Sequence, residues 1–172
     1  MNDLIRNLND FVSENFPVDK VTSFLTDYDL KPEVIEKYCF FKDDKYSRNL
    51  VYKDEHFELL IVCWDSGQKA PIHGHEGEKC WMKVEKGSLQ ICNYQLKSMN
   101  PLSLTMTDCI DGMAGFLDGP ADIHSVENIQ DKPAISLHLY TKPFEECDIY
   151  CIDKGTIERI PLVYDSMYME LC

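Results

Sequence analysis

The chain has 172 residues, a formal net charge of −13 and a hydrophobic share of 44%. That length suits a single domain, residues 1–172, with a sizeable core, and the apolar share is that of a globular chain rather than a disordered one. The acidity excludes nucleic acid and an anionic membrane as expected partners, and an anionic small molecule would need a local positive group. The opening MNDLIRNLNDFVSEN is broken by charges and lacks the apolar stretch of a secretory signal. The longest apolar run, Leu59 to Trp64, is far short of the roughly 18 residues of a membrane span, so a cytoplasmic location is expected. The eight cysteines include no C-x-x-C pair. In a chain of this length without an export signal, most read as small buried hydrophobes rather than as a disulfide framework.

Residues 1–45 carry helical periodicity. Leu4, Ile5, Leu8, Phe11 and Val12 recur at spacings of three and four, as do Val21, Phe24, Leu25 and Tyr28. Pro32 stands where a helix can begin, ahead of Val34, Ile35, Tyr38 and Cys39. Two or three short helices are expected there. From Tyr46 the texture changes to short apolar runs, and the expected strands include 58–64, 80–85, 88–95, 113–117 and 134–141. Gly67, Gly87, Gly112 and Gly119 read as turn residues between them. The architecture expected is mainly β, a small barrel or sandwich over 46–172, with the N-terminal helices packed outside.

Three stretches carry chemistry. In PIHGHEGEKC, His73 and His75 are i and i+2, so on a strand both imidazoles face one side and suit a single metal ion. In AISLHLYT, Ser136, His138 and Tyr140 share one parity and Ile135, Leu137 and Leu139 the other. A strand would bury the aliphatic row and line its opposite side with a hydroxyl, an imidazole and a phenol, in order for a hydrogen-bonded relay. In YSRNLVY, Tyr46 and Arg48 are again i and i+2, and an inward arginine offers a planar fork to a carboxylate.

The spacing from Gly67 through His73 and His75 to Cys80 and Gly87 resembles the first cupin motif, with cysteine in the place of its glutamate. HSVEN supplies His124 and Asn128 as in the second motif, whose upstream half is out of register at Gly119 and Pro120. Cupins are small β-barrels, of jelly-roll type, that bind a metal inside. The non-heme iron set best known is two histidines and a carboxylate, and Glu76 and Glu78 are candidates for the carboxylate, although neither has the motif's spacing.

Together with YSRNL and SLHLYTKPFEEC, these residues resemble the cysteine dioxygenases of the thiol dioxygenase family, from about Tyr46 to Cys147. The resemblance implies iron(II) held by His73, His75 and His124. It implies Arg48 as the substrate-carboxylate anchor with Tyr46 beside it, and Ser136, His138 and Tyr140 as the row behind the metal. Cys80 and Tyr140 match the positions that form a cysteine–tyrosine thioether in the animal enzymes. The implied activity, a step of cysteine catabolism, is addition of both atoms of O2 to the thiol of L-cysteine, giving cysteine sulfinic acid; a monomer is expected. Thr141-Lys142-Pro143 stands where the animal enzymes have Ser-Pro-Pro, and with that the cis Ser–Pro bond that shapes their substrate pocket is lost. A dioxygenase for another small thiol such as 3-mercaptopropionate is the first alternative, and a non-catalytic metal-binding cupin the second.

Overall fold

The computed structural model describes residues 1–172. Three helices open the chain, α1 (Asn2–Asp10), α2 (Val18–Asp27) and α3 (Pro32–Ile35), with 3-10 turns at Val12–Glu14 and Glu36–Tyr38. A spacing of four gathers Leu4 and Leu8 of α1, and Val21 and Leu25 of α2, onto buried faces. Pro32 opens α3 at a position where its missing N–H costs nothing.

The rest is β-structure: β1 (Ser47–Lys53), β2 (Glu58–Trp64), β3 (Lys69–Gly74), β4 (Lys79–Lys86), β5 (Ser88–Met99), β6 (Leu102–Met113), β7 (Leu117–Ala121), β8 (Ile123–Glu127), β9 (Ala134–Thr141), β10 (Glu146–Cys151), β11 (Thr156–Pro161), β12 (Ser166–Met167) and β13 (Glu170–Leu171). One sheet runs β13-β12-β1-β2-β9-β4-β7 and the other β11-β10-β3-β8-β5-β6.

β2 and β9 lie in the middle of the larger sheet and every residue of both is buried. Alternation divides them. Leu59, Ile61 and Cys63 of β2, with Ile135, Leu137 and Leu139 of β9, face outward and pack with Leu4, Leu8, Val21 and Leu25 of the helices. Leu60, Val62 and Trp64 face inward with Met82, Val84, Leu89, Ile91 and Val126. Each large aliphatic buried this way contributes about 1.5–3 kcal/mol. The helices therefore seal the outer face of the sheet whose inner face lines the cavity.

Two expectations fail. Residues 114–116, expected within a strand over 113–117, form the turn between β6 and β7, where Gly115 adopts φ +93°. Met113, Ala114 and Phe116 look strand-like by composition, but the turn is closed by hydrogen bonds from Gly115 N–H to Val84 O (2.7 Å) and from Phe116 N–H to Met113 O (2.8 Å). Gly112, expected in a turn, lies inside β6 with the Phe116 ring packed against its α-carbon, and Gly119 lies within β7. Gly67 and Gly87 do occupy turns, both at positive φ. The cysteines divide. Cys63, Cys80 and Cys147 are buried thiols, whereas Cys92 and Cys109, register partners on β5 and β6, form a disulfide. Cys39, Cys151 and Cys172 are partly or fully exposed.

Candidate active site

The three histidines converge inside the barrel. β3 and β8 are antiparallel neighbours in which His73 stands opposite His124. Pro71 has no N–H to give to the ladder, and the register shifts between Ala70 and His73. The shift brings the Pro71 carbonyl to within 2.8 Å of His73 Nδ1. His75 follows the strand end, where Glu76 and Gly77 turn the chain at φ 59° and 75°. Its main-chain N–H donates to Asp122 O (3.2 Å), and its Nδ1 lies 3.0 Å from Ala121 O. Ring centroids are 5.1 Å apart for His73–His75, 4.8 Å for His73–His124 and 4.6 Å for His75–His124.

The ligand-capable atoms of this cluster all lie within 4.8 Å of one another. Nε2 of His75 and Nε2 of His124 are buried with no hydrogen-bond partner. Burial pushes the pKa of His73 down to about 4 and those of His75 and His124 well below the usual histidine range. Three neutral imidazoles whose ligand-capable nitrogens lie this close together fit a divalent transition metal. Glu76 and Glu78 stand outside the cluster. Glu76 is turned to Arg159, whose Nη1 and Nη2 donate to its two oxygens at 2.5 and 2.8 Å.

The row on β9 takes the order its parity predicts. Ser136 Oγ lies 2.9 Å from His138 Nε2, and His138 Nδ1 lies 3.1 Å from the Tyr140 hydroxyl. Trp64 Nε1 donates to Ser136 Oγ at 2.9 Å, extending the row to β2. Burial lowers the pKa of His138 and raises that of Tyr140, so both are neutral. Cys80 on β4 is the register partner of Tyr140 on β9, and burial pushes its thiol well up. Gly119 (φ +118°) crosses directly over the Cys80 carbonyl, where an added Cβ would overlap that oxygen.

Arg48 and Tyr46 line the same cavity as the histidines, His138 and Tyr140. Tyr46 stacks on Trp64 with centroids 4.7 Å apart. The Arg48 side chain is 11% exposed and has a buried carboxylate for a neighbour: Nη2 is 3.5 Å from Glu58 Oε1. Tyr164 donates to the other Glu58 oxygen at 2.6 Å. Arg48 Nε and Nη2 and Glu58 Oε1 have no hydrogen bond, so the guanidinium is held by charge without being clamped. Lys142–Pro143 is trans, the cis bonds being Asn100–Pro101 and Gly119–Pro120.

Glu58, Trp64, Asp118 and Tyr164 are the site's residues that sequence reasoning missed. Parity held the one available signal: Glu58, Leu60, Val62 and Trp64 share the inward row of β2, so a glutamate opening an otherwise apolar strand stood on the cavity side. Asp118 lies 3.6 Å from His124 Nδ1 although β7 and β8 belong to different sheets, an approach that no local pattern encodes.

Two packed sheets enclosing three histidines have the architecture of a double-stranded β-helix, with a cluster that fits one metal ion. Solved structures agree on the fold. A Thermus thermophilus protein matches with TM-score 0.53 at 17% identity over 67% of this chain and 98% of its own. A Klebsiella pneumoniae protein with a double-stranded β-helix domain matches with TM-score 0.50 at 15% identity over 67% and 92%. The family model for cysteine dioxygenase type I matches residues 1–152, and the chain belongs to that family of non-heme iron dioxygenases. Among curated relatives, cysteine dioxygenase type 1 of Danio rerio is 29% identical over 99% of this chain and 88% of its own length. The Rattus norvegicus and Homo sapiens proteins of that name are each 28% identical over 96% and 86%.

Proposed function

We propose that the chain oxidises L-cysteine to cysteine sulfinic acid with both atoms of O2, at an iron(II) centre held by His73, His75 and His124. The observation that carries this reading is the meeting, in one cavity, of three neutral imidazoles with an inward arginine and a buried phenol. Bound iron(II) would supply the positive charge that acidifies a thiol and the redox chemistry that makes dioxygen reactive. The protein's own residues do the rest.

Arg48 takes the substrate carboxylate. Its Nε and Nη2 hydrogens are unpaired, and a thiol lacking a carboxylate would leave them so. Tyr46, fixed by Trp64, shapes the wall beside it. Trp64 is an obligate donor and occupies one lone pair of Ser136. The Ser136 hydrogen then goes to His138 Nε2, placing the imidazole proton on Nδ1, which donates to Tyr140. The phenol's own hydrogen is thereby free to point into the cavity toward substrate. Cys80, opposite Tyr140, is available for a thioether, in which the thiol and a ring C–H each give up one hydrogen, with dioxygen as the oxidant. We read the enzyme as a cytosolic monomer.

Oxygen uptake by the iron-loaded protein tests the reading: kcat/KM for L-cysteine exceeds that for 3-mercaptopropionate. The reverse preference would assign the alternative substrate, and no uptake with either would leave a metal-binding protein. Intact mass after repeated turnover reports the thioether as a loss of two hydrogens with the Cys80 and Tyr140 peptides joined. Separate peptides after many turnovers would dispose of it.

A further inference from the structure

Each imidazole of the cluster presents Nδ1 to an oxygen. For His73 and His75 that oxygen is a peptide carbonyl, of Pro71 and Ala121. For His124 it is a side chain: Asp118 Oδ2 stands 3.6 Å from Nδ1. Both atoms are buried and neither has another partner. The second oxygen of Asp118 accepts from the Asn93 amide at 3.0 Å. Asn93 is the register partner of His124 on β5, so β5, β7 and β8 each contribute one residue to an Asn93–Asp118–His124 chain.

We propose that Asp118 is a positioning residue for the iron centre: it faces the Nδ1–H of His124 as acceptor, directs Nε2 toward His73 and His75, and sets a negative charge behind a cationic site. The inference rests on the reading of the three histidines as iron ligands. The 3.6 Å gap is longer than a hydrogen bond, but no other partner competes for either atom. A carboxylate in this place makes the ring a better ligand and holds its tautomer, and losing such an outer partner costs about 10- to 100-fold in metal affinity. The carbonyls behind His73 and His75 are neutral. Asp118 is therefore the charged member of the three supports and the one a substitution can remove.

The test is the dissociation constant of the full chain for iron(II), measured anaerobically against a chelator. Asp118→Asn keeps shape and loses charge, and is expected to raise that constant about tenfold. Asn93→Ala leaves His124 and Asp118 in place but releases the carboxylate, and should raise it by less. It also keeps the test open if Asp118→Asn fails to fold. Imidazole 15N shifts give a second readout: in the metal-free wild type the His124 proton sits on Nδ1, and in Asp118→Ala the tautomers mix. Unchanged iron affinity in folded Asp118→Asn, or in Asn93→Ala should the first not fold, with cysteine oxidation intact in the wild type, overturns the assignment and spares the ligand reading. A wild type that binds no iron overturns both.

Discussion

The outer core and the barrel interior are built from the same two strands and carry opposite kinds of side chain. Between helices and sheet, the outward residues of β2 and β9 meet Leu4, Leu8, Val21 and Leu25 in an apolar layer. The charge that enters it, Lys83, is taken up by the carbonyls of Leu25 and Tyr28 at the end of α2 (2.9 and 2.5 Å). On the opposite face the inward residues of those strands place Glu58, Ser136, His138 and Tyr140 among Leu60, Val62 and Met82. Buried polar groups cost free energy unless paired, and several atoms here are unpaired: His75 Nε2, His124 Nε2, Arg48 Nε and Nη2, and Glu58 Oε1. One face of β2 and β9 stabilises the fold, while the other is a wall of the cavity into which β1, β8 and the end of β3 bring most of the unsatisfied groups. Substitutions on the two faces should therefore separate stability from activity.

The sharpest separation comes from His124→Ala. Iron content falls to background and oxygen uptake is abolished, while the metal-free protein still unfolds cooperatively, as metal analysis and urea titration would show. Leu8→Ala on the outer layer is the mirror case. It costs about 2–5 kcal/mol of stability, read as a lower urea midpoint, with kcat of the folded protein unchanged. A fall in kcat there would mean that the layers are not separable.

Arg48→Ala mixes the two. A charge-assisted hydrogen bond contributes about 1.5–3 kcal/mol, so KM for cysteine should rise about 10- to 100-fold. Stability should also fall, because the Glu58 carboxylate is left buried and unpaired. An unchanged KM would remove Arg48 from the site.

The smallest effect lies away from the cavity. Burial pushes Glu85 up to about 7 from the ordinary 4.5, and its Oε1 has no partner. A raised carboxyl binds its proton more tightly in the folded state, so its contribution to stability is full below about 4.5 and lost as pH rises through about 7. Glu85→Gln should stabilise the protein at pH 8 by about 1 kcal/mol, or ~2–4 °C in Tm, and leave it unchanged near pH 4.

Periodicity and spacing carried the sequence reading wherever the signal was local. The helices of residues 1–45, the double-sided burial of β9, the Ser136–His138–Tyr140 order and the His73–His75 pair all follow from which residues recur at i+2, i+3 or i+4. The relation of His124 to that pair depends on β3–β8 register and was supplied by family resemblance instead. Glu58 and Asp118 escaped because the chain holds 30 acidic residues, and a lone carboxylate in such a sequence looks like solvated surface. Parity on β2 marked Glu58 weakly, and Asp118 is distinguished only by the closing of the two sheets over one another. β3 and β6 were missed for a related reason: Pro71 and the two histidines break the apolar run of one, and the other is mostly exposed, so hydrophobic alternation had little to mark.

The central claim is that the cavity delivers both atoms of dioxygen to the sulfur of cysteine. The iron-loaded protein should be given L-cysteine under 18O2 in ordinary water, and the product's mass measured. The account predicts cysteine sulfinic acid in which both sulfur-bound oxygens carry the label, with one dioxygen consumed per product. Cystine in place of sulfinate, or a sulfinate that draws an oxygen from water, would contradict it.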